Sequence, residues 1–108
     1  MIKATFKQKE DGEIVSFEMT GHADFAEMGS DIVCAAASSL SINAVNSIEE
    51  LAGYQPIVDV SDGYLYLELL SEMSDVQRAV TDILLKSLLI GLRGIEEEYK
   101  EYIQVKTI

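Results

Sequence analysis

Polar and apolar residues alternate with a period of two over IKATFKQ (2–8), break at KEDG (9–12) and alternate again over EIVSFEMTG (13–21). This pattern predicts an opening β-hairpin with one apolar face. Ile14, Phe17 and Met19 are candidate core residues, although the alternation slips near Val15. Residues 22–30 show no periodicity and read as a loop with Gly29 near its end. The character then changes: SDIVCAAASSLSINAVNSIEELAG (30–53) is rich in helix formers, with Ser30 or Asp31 to cap it and Gly53 to stop it. Within it Ala37, Leu40, Ala44, Ile48 and Leu51 recur at helical spacing and predict a buried stripe. QPIVDVSDGYLYLELLSE (55–72) reads as a second hairpin turning at Asp62-Gly63. A second helix is expected over 73–100, capped by Ser74 and ending near Gly94, with Val76, Val80, Ile83, Leu84, Leu88 and Ile90 or Gly91 facing inward. YIQVKTI (102–108) alternates once more and supplies a last strand. The order ββαββαβ predicts an α+β fold, with two helices packed on one face of a largely antiparallel sheet. No linker or repeat divides the chain, so residues 1–108 are expected to form a single domain.

Charge narrows the partners. Nineteen acidic residues stand against 8 basic ones, for a net charge of −11. That balance opposes nucleic acid and anionic membrane and favours a basic partner. No long apolar run opens the sequence, which argues against a signal peptide or membrane anchor and makes the cytoplasm the expected compartment. A single cysteine excludes an intrachain disulfide framework and a cysteine-rich zinc site. With a single histidine and no carboxylates paired at ligand spacing, neither a metal nor a cofactor is expected.

Those two singletons, His22 and Cys34, both fall in GHADFAEMGSDIVCAAAS (21–38). A helix beginning near Asp31 puts Cys34 in its first turn, where free backbone N–H groups and the helix dipole favour a thiolate. The loop is short enough to fold back and bring the imidazole against the sulfur, with His22 as base and then as acid for a leaving amine. Asp31 is placed either to orient His22 or only to cap the helix, and Asp24 competes less well for the orienting part. Unpaired N–H groups at the helix start would also form an oxyanion hole. Ser38 follows Cys34 on the same helix face. Gly21 and Gly29 bracket the loop either as candidate hinges that let it move over a substrate and order on binding, or simply as turn residues of a rigid loop. Phe25 and Met28 are candidate substrate contacts, or else anchors of the loop to the core. The same residues equally fit an exposed loop histidine and a small buried cysteine.

The paired motif GHA (21–23) and GSDIVCAAAS (29–38) resembles the bacterial ribosomal-processing cysteine protease family, Prp, and the likeness extends over the whole chain. The resemblance implies a cytoplasmic, homodimeric cysteine endopeptidase with His22 and Cys34 as its dyad and Asp31 and Ser38 as supporting residues. It implies as substrate a large-subunit ribosomal protein whose N-terminal extension is removed, with aromatic residues before the cut and a small one after it. The wide apolar surface of TDILLKSLLIGL (81–92) is consistent with a dimer, and equally with a helix squeezed between the sheet and the first helix. A competing reading is a non-catalytic acidic dimeric module that binds a basic ribosomal protein beside its sheet.

Overall fold

The computed structural model describes residues 1–27 and 29–108, so Met28 and its expected substrate contact lie outside the described residues. Strands β1 (Ile2–Gln8), β2 (Ile14–Thr20), β3 (Ile57–Ser61), β4 (Tyr64–Glu68) and β5 (Ile103–Thr107) form one sheet in the order β3-β4-β2-β1-β5. All neighbours are antiparallel except β1 and β5, which run parallel because α2 (Asp75–Glu98) carries the chain back to the starting end of the sheet. With α1 (Ile32–Ser47), α2 covers one face, as the α+β expectation holds.

The slip near Val15 is real and has a cause. Lys7 pairs with Ser16 but Gln8 pairs with Ile14, so Val15 is the extra residue of a β-bulge. The bulge puts Ile14 and Phe17 on the same inner face, where both are buried while Met19 is half-buried. The Phe6 and Phe17 rings meet there with centroids 4.6 Å apart.

Asp31 caps α1, and its buried face is made of small residues: Val33, Ala37, Ser41 and Ala44. Small side chains let the helix lie close to the sheet, and the buried Ser41 hydroxyl is satisfied by donating to Ala37 O at 2.8 Å. Leu40, expected inside, is exposed and leans on Gly91 of α2, where a Cβ would come within 3.0 Å of it. After Ser47 the helix widens into a π-helical turn over Ile48–Ala52. The wider turn adds a residue before the chain comes round, so the inward position passes from the expected Leu51 to Ala52. Gly53, at φ +75, ends the helix as anticipated.

The second helix departs more from expectation. Ser74 caps it with a full capping box, but it runs through Gly94 to Glu98. Its inner face is Thr81, Leu85, Leu88, Leu89 and Leu92, so only Leu88 of the expected set is buried, with Val80 and Leu84 half-buried. Val76 and Ile83, also expected inside, are 72 and 67 % exposed; of the alternatives Ile90 and Gly91, Ile90 is 72 % exposed and Gly91 is half-buried against Leu40. Apolar residues flank this helix on two sides, and the side that buries more large leucines against the sheet and α1 wins.

Candidate active site

The loop after β2 begins at a glycine that nothing else could replace without movement. Gly21 has φ +88, and a Cβ there would stand 2.4 Å from the Met1 carbonyl oxygen. Its N–H donates to Gly63 O at 2.8 Å, so the residue before His22 is tied to the tip of the β3–β4 hairpin. Gly21 is therefore a wedged turn rather than a hinge, whereas Gly29, at φ +89, faces open space.

Beyond Gly21 the chain passes directly over the start of α1. The N–H of Ala23, next to His22, donates to Cys34 Sγ at 3.4 Å. Asp31 Oδ1 accepts from Val33 N and Cys34 N at 3.0 Å each, and its Oδ2 accepts from Phe25 N at 3.0 Å. One carboxylate thus caps the helix and pins the loop. The Cys34 N–H above all, with further backbone N–H donors, holds the Asp31 carboxyl below its ordinary range.

Two open readings are narrowed here and one expectation changes. Asp31 spends both oxygens on backbone donors, so it acts as cap and loop tie, and the imidazole stands elsewhere. Because Asp31 already takes the N–H groups of Val33 and Cys34, and Ala35 N bonds Asp31 O, those donors are not free to form an oxyanion hole. Phe25 stacks edge-on against Tyr102 and Tyr99, with centroids 5.0 and 5.7 Å away, and does not line the cleft; it is a loop anchor. Asp24, at φ +55, lies 3.9 Å from the N-terminal ammonium.

His22 and Cys34 do share a cleft of about 610 Å³ between α1 and the β3–β4 hairpin. Cys34, Ala35, Ser38 and Ile42 form its helical wall, and Val60, Ser61, Asp62 and Gly63 form the wall opposite. The thiol is half-buried and free, and Ser38 is exposed to the cleft. His22 Nε2 faces the hairpin, 3.7 Å from Asp62 Oδ1. In the sequence Asp62 is fully accounted for by the Asp-Gly turn, and only the fold brings it beside His22. Among the described residues no group of histidine, cysteine and carboxylate side chains could hold a metal ion. The Ile32–Ala52 helix is long and apolar enough to cross a membrane, but its inner face packs in the core instead.

The Asp31 arrangement has a pH signature. Its folded pKa lies below the unfolded one, so its stabilisation is full above the ordinary carboxylate range and is lost as pH falls through the folded value. Asp31→Ala should therefore melt below the parent at neutral pH, and the gap should close in acid; thermal unfolding monitored from pH 7 to pH 2 by circular dichroism reads this. A gap independent of pH would contradict the assignment.

Comparison with known proteins converges on one family. The family model for cysteine protease Prp matches residues 1–104. A ribosomal processing cysteine protease Prp from Bacillus subtilis is 39% identical over 109 residues, spanning 99% of this chain and 97% of that protein. The crystal structure of an essential ribosomal processing protease Prp from S. aureus with a covalently linked product peptide superposes with a TM-score of 0.89 at 32% identity, covering 100% of both chains. The S. aureus structure with a substrate peptide gives a TM-score of 0.83 at 31% identity, again over 100% of both.

Proposed function

The chain belongs to the cysteine protease Prp family and is a cysteine protease, and we propose that it cuts a short N-terminal extension from a basic large-subunit ribosomal protein in the cytoplasm. The observation that carries the reading is the bond from Ala23 N–H to Cys34 Sγ, which joins the histidine loop to the thiol at the edge of one cleft. Family membership sets aside the non-catalytic binding module.

In the proposed reaction His22 takes the Cys34 thiol proton and the sulfur attacks the scissile carbonyl carbon. The C–N bond breaks as His22 returns that proton to the departing amine, leaving a thioester. Water then attacks the thioester carbon and gives a proton to His22; the C–S bond breaks to release the acid, and the departing sulfur takes that proton back from His22. His22 and Cys34 line one cleft, and the proton passes between them there. Ser38, one turn beyond Cys34, is placed to bond the bound peptide.

Charge supports the substrate class. Asp24, Asp31 and Asp62 all line the cleft of a chain carrying −11, and ribosomal proteins are basic. Incubating the enzyme with a large-subunit ribosomal protein carrying such an extension should yield one shortened product by mass spectrometry. Intact substrate after prolonged incubation would overturn the assignment.

The exposed Val76, Ile83 and Ile90 row supports a homodimer, since apolar residues seven apart on one face need cover. Light scattering at low micromolar concentration should return twice the 11.9 kDa chain mass, and Ile83→Asp should halve it. A monomeric mass for the parent protein would remove the dimer.

A further inference from the structure

The tip of the β3–β4 hairpin holds His22 by backbone, by shape and by charge. Gly21 N–H donates to Gly63 O at 2.8 Å, which fixes the chain just before the histidine. The imidazole then lies against Gly63 so closely that a Cβ there would stand 2.8 Å from Nε2. Gly63 also has φ +67, so the turn and the ring both require its missing side chain. Asp62 Oδ1 sits 3.7 Å from the same Nε2. The other carboxylates lining the cleft have different partners: Asp31 holds backbone N–H groups and Asp24 lies by the N-terminal ammonium.

Imidazole has two unequal nitrogens, and whichever faces a carboxylate keeps the proton. With Nε2 turned to Asp62, Nδ1 is the nitrogen left to take a proton from Cys34. We propose that Asp62 is the positioning residue of the reaction, steadying the His22 imidazolium formed when the thiol ionises, with Gly63 as the platform for the ring. This rests on Cys34 and His22 acting as nucleophile and base. At 3.7 Å the contact is too long for a hydrogen bond and acts through charge, so its strength grows once the ring is protonated. The Asp62 side chain is 85 % exposed, and solvent screening limits its effect to about three- to fivefold.

The test uses a neutral probe, iodoacetamide, so that attraction of a basic substrate plays no part. Asp62→Asn keeps a residue equally suited to the turn and removes only the charge. At fixed neutral pH and low salt, it should alkylate Cys34 about three- to fivefold more slowly than the parent. Added salt should slow the parent towards the variant and leave the variant unchanged. Asp62→Glu should recover part of the rate, and Asp62→Asn made in a His22→Ala background should change nothing further. On an uncharged peptide kcat should fall with KM unchanged. Parent-like alkylation by Asp62→Asn at low salt overturns the proposal, as does a loss confined to basic peptides, which would make Asp62 a substrate contact. Should His22→Ala alkylate as fast as the parent, the dyad itself fails, a result distinct from either.

Discussion

Replacing Cys34 with alanine should lower peptide cleavage by about 10⁴-fold or more, leaving no turnover above background. Nothing else near the cleft can substitute for it. Ser38 is a hydroxyl one helical turn away, and Cys34 is the chain's single thiol. The fold should survive, because Cys34 is half-buried and alanine needs less room in a turn already followed by three alanines. Cys34→Ser is the sharper control. Its hydroxyl still accepts the Ala23 N–H, so the loop stays tied, yet a serine hydroxyl ionises far less readily than a thiol. His22→Ala should cost about 10²–10⁴-fold by removing the proton carrier. Product formation followed by mass spectrometry, with circular dichroism on each variant, separates lost chemistry from lost structure. Persistent cleavage by a folded Cys34→Ala protein would exclude the nucleophile assigned here.

Gly21→Ala should be the most damaging single methyl group in the molecule. At φ +88 any L side chain is strained, and this Cβ would meet the Met1 carbonyl oxygen at 2.4 Å, a backbone atom with no rotamer to escape through. Strain and displacement together are expected to cost about 2–4 kcal/mol, lowering the melting midpoint by roughly 10 °C or more. Relief has to come from moving β1 or the loop, and the loop carries His22 as its next residue. Activity should therefore fall even where the protein remains folded. Gly29→Ala is the matched control, with nearly the same φ but open space around it, and should lose only about 1 kcal/mol. Equal melting temperatures for the two variants would show that the approach to Met1 is not what selects glycine.

Local chemistry was legible in the residues. Ser74 announced one helix start and Ser30 or Asp31 the other, Gly53 a stop and Asp62-Gly63 a turn, because caps and tight turns are satisfied by groups a few positions away. The alternation falters at Val15, but that the break is a bulge follows only from the pairing with β1. The motif around His22 and Cys34 pointed to one family, and the two residues do share one cleft.

What the spacing left undecided was set by contacts with distant elements. Periodicity groups Val76, Ile83 and Ile90 on one face of α2 but does not say which face turns inward; the sheet and α1 decide that for Leu85, Leu89 and Leu92. Phe25 left the cleft because Tyr99 and Tyr102 offer its ring partners from the far end of the chain. Asp31 was drawn into capping by the N–H groups it faces, and the carboxylate beside His22 came from a hairpin remote in sequence. A local pattern fixes which side chains travel together, because neighbouring backbone geometry is short-ranged. Which of them meet across the fold depends on burial and pairing summed over the whole sheet, and no single stretch of sequence contains that sum.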